Sequence, residues 1–229
     1  SHLHAPFEDG DCTGCHSPHA ARGEHLLTAG STGLACAACH DLSDLYPVAE
    51  LAHRPVRDGE CAACHHPHGS DQPALLRVET GTLCKSCHTE MTVKAALPNL
   101  HAPFADGDCF ACHDAHGSEN ASSLSSPPPG LCAECHDIAA PALRSKHHGF
   151  NLAQAKCTGC HDSHASVDPS LSHAYVHPPY DDRECGTCHE ASGAVQAGGR
   201  KAVCLDCHSG LAADLATGTL HAPLEDDDA

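Results

Sequence analysis

Nine copies of Cys-x-x-Cys-His account for all eighteen cysteines of this 229-residue chain. They are Cys12, Cys15 and His16; Cys36, Cys39 and His40; Cys61, Cys64 and His65; Cys84, Cys87 and His88; Cys109, Cys112 and His113; Cys132, Cys135 and His136; Cys157, Cys160 and His161; Cys185, Cys188 and His189; and Cys204, Cys207 and His208. Two thiols at this spacing, followed at once by a histidine, are the attachment signature of c-type haem. The thiols add to the two vinyl groups of one porphyrin, and the proximal histidine reaches the iron from the same side. Zinc knuckles and disulfide scaffolds also use paired cysteines. Neither needs a histidine directly after the second cysteine, and here it stands there nine times out of nine. The motifs imply nine covalently held haem c groups, each with its iron.

The flanks supply a second set of histidines. His4-Ala-Pro-Phe-Glu-Asp-Gly-Asp-Cys12, His53-Arg-Pro-Val-Arg-Asp-Gly-Glu-Cys61 and His101-Ala-Pro-Phe-Ala-Asp-Gly-Asp-Cys109 align residue for residue. Each has a leading histidine eight residues before the cysteine and an Asp-Gly turn signal. The same first motifs are followed by a trailing histidine, at His19, His68 and His116. A second motif without that extra histidine completes each unit. Two spare histidines for two haems is the stoichiometry of bis-histidine coordination. The second half varies the theme: His148 and His164 flank Cys157–His161, and His177 leads Cys185 with no trailing partner. The tail from His221 repeats the leading segment once more. The distal candidates are therefore His4, His19, His53, His68, His101, His116, His148, His164, His177 and His221, ten for nine irons. His221 reads either as a relict of duplication or as a ligand, to the ninth haem of its own chain or to one in a neighbouring subunit; if it serves its own chain, His4 or His2 becomes the spare that could cross an interface. His2, His25, His66, His147 and His173 otherwise read as solvated or propionate-contacting, and Met91 as packing.

A trailing histidine leaves the same helical turn as its proximal neighbour, so it cannot reach the far face of that haem. It must reach a neighbouring one. A leading histidine has enough chain to ligate a distal face, of its own haem or of an earlier one.

The elements that hold these ligands must be unusual. Aromatic residues are 3% of the chain, Trp is absent and the formal charge is −18. Low hydrophobicity with high charge normally spells disorder. Haems resolve the conflict by supplying apolar surface, thioether cross-links and ligation energy coupled to folding, so the chain without haem should be largely unfolded. The fold expected is mostly irregular coil with short α-helices, organised as an elongated stacked haem array with little or no β-sheet. Each Cys-x-x-Cys-His should form a helical turn, and Leu211–Ala216 a short helix. The repeats run about 1–48, 49–96, 97–145 and a divergent 146–229, as one continuous unit over 1–229. The proline-rich Ser122–Gly130 lies where other repeats have their internal loop, which argues against a linker there.

Acidity excludes the basic footprint of nucleic-acid binding, and no apolar run approaches the roughly 18–20 residues of a membrane span. Haem is attached outside the cytoplasmic membrane, so export with removal of a leader is expected. Calcium at Asp9/Asp11, Asp106/Asp108 or Glu225–Asp228 is chemically possible.

With these motifs the chain resembles the multihaem c-type cytochromes with doubled Cys-x-x-Cys-His motifs, over essentially its whole length. Within that group it is similar to the extracellular cytochromes that polymerise into conductive filaments. That resemblance implies an unbroken bis-histidine haem stack, few regular elements, a head-to-tail homopolymer with a histidine donated across the interface, and an extracellular location. Minerals, electrodes and other redox proteins would be its electron donors and acceptors. Soluble periplasmic carriers share the doubled motif, so a monomeric electron shuttle stays open. A multihaem oxidoreductase would need an open iron position, often marked by a variant motif, and all nine motifs are regular.

Overall fold

The computed structural model describes residues 2–45, 48, 51–175, 177–182, 184–190 and 195–211. His221 and most of the expected Leu211–Ala216 helix lie outside them. In all nine motifs the histidine N–H donates to the carbonyl of the first cysteine, at 2.9–3.0 Å. This single turn sets both thiols and the imidazole on one side of the backbone.

The two motifs of a pair are carried differently. First motifs are isolated 3-10 turns at Cys12–Gly14, Cys61–Ala63 and Cys109–Ala111, as are Cys157–Gly159 and Cys185–Thr187. Second motifs ride on α-helices at Thr32–Ala37, Thr80–Cys87, Gly130–Ala133 and Gly199–Cys207. The residues just before each motif explain the difference. An Asp-Gly with a left-handed glycine (Gly10, Gly59 and Gly107, φ +73° to +74°) blocks a helix running into the first motif. Capping side chains start the helix of the second: Ser31 accepts from Leu34 N–H, and Glu79 from Gly81 and Thr82 N–H.

His4, His53, His101 and His177 each precede a four-residue helix with proline in its first turn: Ala5–Glu8, Arg54–Arg57, Ala102–Ala105 and Pro178–Asp181. Proline is tolerated there because the first N–H groups of a helix are unpaired anyway. After each first motif the chain folds back on itself. Isolated bridges join His16 to Leu27, His65 to Leu76, His113 to Leu124 and His161 to Ser172.

Leading and trailing segments of different repeats then pair as short antiparallel ladders. His2–Leu3 pairs with Gly69–Ser70, and Asn99–Leu100 with Ala165–Ser166. Ala52 bridges to Gly117 at the equivalent place. Each repeat is thereby stitched to the next. The second-motif helix adds another seam: a Cβ on Gly33 would stand 2.9 Å from the Gly59 backbone, and one on Gly81 3.0 Å from Gly107.

Two compact units emerge. One comprises Ser1–Leu131 with Cys157–His173; the other comprises Cys132–Lys156 with Ala174–Ala229. The apolar core is slight: among the described residues Ala52, Leu76, Phe104 and Ala165 are its buried hydrophobic members.

Candidate haem ligands

The proximal histidines of the first motifs are locked through one ring nitrogen. His16 Nδ1 donates to the His25 carbonyl at 2.8 Å, His65 to Ala74 at 2.8 Å, His113 to Ser122 at 2.9 Å and His161 to Ser170 at 2.9 Å. The acceptor is always nine residues on. His25, Ala74 and Ser122 all have positive φ, between 52° and 58°. Such a conformation costs about 1–2 kcal/mol for a residue with a Cβ; here it aims a carbonyl at the ring. A metal-bound histidine commonly gives its other N–H to such an acceptor, which fixes tautomer and orientation. Nε2 is left with its lone pair directed away from the loop.

The leading histidines are held the same way. His4 Nδ1 donates to the Pro67 carbonyl at 2.9 Å and His53 Nδ1 to Ala115 at 3.0 Å. Their backbone N–H groups donate to the carbonyls of His68 and His116, and that of His101 to His164. A leading and a trailing histidine are thus fixed by one another across the repeat boundary.

Three trailing rings face the first proximal histidine of the preceding repeat. His68 lies 5.9 Å from His16, His116 lies 6.1 Å from His65, and His164 lies 6.1 Å from His113, centroid to centroid. Leading rings face the second proximal histidine of their own pair: His4 and His40 at 6.1 Å, His53 and His88 at 6.0 Å, His177 and His208 at 5.6 Å. In these three pairs the leading ring faces neither the proximal histidine of its own adjoining motif nor one earlier in the chain, because the short helix and the turn after it take up the intervening chain.

These separations test the fit to haem iron. An imidazole nitrogen sits about 2.0 Å from a first-row metal, so two rings sharing one have centroids roughly 6.3 Å apart. Stacked aromatic pairs span a wider range of about 4.5–7 Å. Apart from the His177–His208 pair, the distance holds at 5.9–6.1 Å while the interplanar angle runs from 7° to 37°. Constant distance with variable tilt is the mark of a common bridging atom, not of face-to-face packing. His177 and His208 approach more closely, with Nε2 atoms 3.3 Å apart and aimed at each other. The five pairs at 5.9–6.1 Å fit a six-coordinate iron, whereas the His177 and His208 nitrogens stand closer than the roughly 4.0 Å that two nitrogens across one iron require.

Burial reinforces the ligand role. It holds His116 below the ordinary imidazole value, helped by His65 and His53 and opposed by Asp114. His164 is lowered likewise, by burial and then by the Lys94 ammonium. Both rings stay neutral, as ligation requires. Lys94 pairs with Asp162, whose carboxylate also accepts from the His164 and Ala165 N–H groups. Phe7 packs on His68 at 5.0 Å and Phe104 on His164 at 5.2 Å.

No cluster of three or more metal-ligating side chains forms among the described residues. Burial, then the adjacent Cys61 thiol, pushes Cys36 up to about 11, and burial with Cys109 does the same for Cys84.

The remaining histidines sort differently. His173 Nε2 bonds to the Thr158 carbonyl, and His147 Nδ1 to that of Leu143. His66 meets His68 edge-on at 6.0 Å, and His2 lies in a ladder. His148 ends the Pro141–Lys146 helix region with φ +54°, while Phe150 lies edge-on to His189 at 5.8 Å. His19 is exposed and faces no histidine among the described residues. His4, by contrast, faces His40. The nine-residue carbonyl latch escaped the sequence reading; its one trace is a leucine eleven residues after His16, His65 and His113.

No helix among the described residues is long and apolar enough to cross a membrane. Among curated proteins none matches the chain. The family model described as the doubled CXXCH motif matches four times, at residues 4–44, 53–93, 101–140 and 177–213, more than half of the sequence. It pairs the motif at Cys185 with that at Cys204 and leaves Cys157–His161 between matches. The chain belongs to the doubled CXXCH motif family and is a multihaem c-type cytochrome that binds haem c.

Proposed function

We propose that the chain conducts electrons through nine bis-histidine haems as the subunit of an extracellular filament, built head to tail from copies of itself. The observation that carries this reading is the cross-repeat pairing of trailing and proximal histidines at 5.9–6.1 Å. It supports an unbroken run, because every such pair ties the haem of one repeat to the backbone of the next. Each haem supplies a one-electron iron couple, with axial ligands and access deciding between electron transfer and substrate activation. Two histidines per iron exclude substrate, so the chain is a carrier and not an enzyme. Bis-histidine irons also sit lower in potential than Met/His irons. The acidic surface suits encounter with cationic partners or metal ions outside the cell. Respiratory electrons would pass to minerals, electrodes or other redox proteins, and export with leader removal accompanies haem attachment.

Electron paramagnetic resonance of the purified oxidised protein, with haem counted by mass, tests the ligation. Nine haems and low-spin signals throughout are expected. A high-spin ferric signal in the assembled protein would refute full coordination and return the enzyme reading. Negative-stain microscopy of native material tests the filament. Compact monomers alone would replace it with a periplasmic shuttle.

A further inference from the structure

The junction between successive repeats has three parts. The leading segment of one repeat pairs with the trailing segment of the next, with His4, His53 and His101 N–H groups bonded to His68, His116 and His164 carbonyls. The trailing imidazole enters the same seam. The start of the second-motif helix lies on the Asp-Gly turn of the next repeat, where Ser31, Thr32 and Gly33 line one cleft with Asp58, Gly59 and Glu60.

Two places carry one half of this junction. At the first repeat, His19–Ala21 occupy the position of His68–Ser70, yet form no ladder. Among the described residues the His19 carbonyl and the Ala21 N–H find no backbone partner. Nothing lies within 4 Å of a Cβ built on Gly10, whereas Gly59 and Gly107 each meet a helix. At the fourth matched pair the reverse half is presented. His177 stands where His4, His53 and His101 stand, but its N–H finds no acceptor among the described residues. Tyr175, on that edge, is 98% exposed.

The two halves also match in charge. The first repeat offers Glu8, Asp9 and Asp11 around its open turn. The helix of the fourth pair begins Gly199-Arg200-Lys201, with Lys201 at the position of Gly33 and Gly81.

We propose that the edge at Tyr175 and His177 of one molecule pairs with His19–Ala21 of a second copy. The acidic turn of that copy meets Lys201 of the first molecule. This rests on the filament reading and names its two contacting surfaces. The strand register copies the internal junctions: His177 N–H donates to the His19 carbonyl, and Ala21 N–H donates to the Tyr175 carbonyl. The helix stands further off than its internal counterparts, because Lys201 carries a Cβ where Gly33 and Gly81 have none, and it meets the acidic turn through its ammonium. The contact is heterologous, so repetition builds an open array or a ring. It buries Tyr175 and the His19 imidazole together.

The test uses purified holoprotein with all haems attached. Ala21→Pro removes the one edge donor, and Lys201→Glu reverses the charge. Sedimentation velocity over a dilution series should show self-association at least about tenfold weaker in each. Asp9→Lys combined with Lys201→Glu should restore it. Carbodiimide cross-linking of mixed light and heavy nitrogen holoprotein should join Lys201 to Asp9 or Glu8 in mixed-isotope peptides. Peptides of one isotope only would put the contact inside a single chain and overturn the proposal. Wild-type assembly unchanged in both single variants would overturn it too, while the filament reading stands. Wild-type protein that is monomeric at every concentration would instead remove the filament reading, and this interface with it.

Discussion

Gly117 is the point at which one backbone crossing governs two iron pairs. It bridges to Ala52 at φ +126°, and a Cβ there would lie 2.6 Å from Ala52 Cα and 2.8 Å from the Leu51 carbonyl oxygen. Ordinary carbon contacts are about 3.5–4.0 Å, so Gly117→Ala must spread the two segments by roughly 1 Å. The backbone conformation adds about 1–3 kcal/mol of strain for any residue with a Cβ. Both flanks carry ligands: His116 faces His65 at 6.1 Å, and His53 faces His88 at 6.0 Å. A shift of roughly 1 Å is half of an iron–nitrogen bond of about 2.0 Å, enough to break it. The expected outcome is two high-spin haems, those of His65 and His88, with every thioether still formed. Electron paramagnetic resonance quantifies the high-spin fraction, and intact mass counts the haems. Gly10→Ala is the control, because its φ is also positive, at +73°, yet nothing lies within 4 Å of the added Cβ. A fully low-spin Gly117→Ala protein, or equal high-spin content in both variants, refutes the reasoning.

Three further outcomes follow from the same geometry. His68→Ala should leave one haem, that of His16, five-coordinate and high-spin, and added imidazole should return it to low spin; no response to imidazole would mean that His68 is not its ligand. Glu79, capping Thr80–Cys87, is held below the usual carboxylate value by the Thr82 hydroxyl and the Gly81 and Thr82 N–H groups. Its stabilisation is complete above the unfolded value near 4.5 and is lost as pH falls through the lower folded value; far-UV circular dichroism should therefore separate wild type from Glu79→Gln at neutral pH and merge them in acid. Chain produced without haem attachment should give the circular dichroism of an unfolded polypeptide, since no large side chain among the described residues is fully buried; a cooperative thermal transition in that material would contradict the view that haem completes the core.

Much of the site can be read from one dimension because each ligand class has a local spacing. The proximal histidines and thiols sit within a single turn, and the leading and trailing histidines keep constant offsets from it. The pairing between them does not follow from those offsets. That His4 faces His40 while His68 reaches back to His16 depends on ladders between segments more than sixty residues apart, such as His2–Leu3 with Gly69–Ser70. Two-residue strands carry too little alternation to announce themselves. The carbonyl latch was equally hidden, because His25, Ala74 and Ser122 are not residue types that advertise a left-handed backbone.

Sequence alone determined the chemistry of this protein: thioether attachment needs only two cysteines and a histidine in one turn, and local covalent spacing is written in the order of residues. It also determined the poverty of the core, hence the dependence on haem. The tertiary structure decided which histidine rings face one another, since the second ring arrives from a distant segment whose path depends on backbone pairing and turn conformation. His19 has the same spacing as His68 and His116, and only its position beside an open edge, with no neighbouring ring to face, distinguishes it from them.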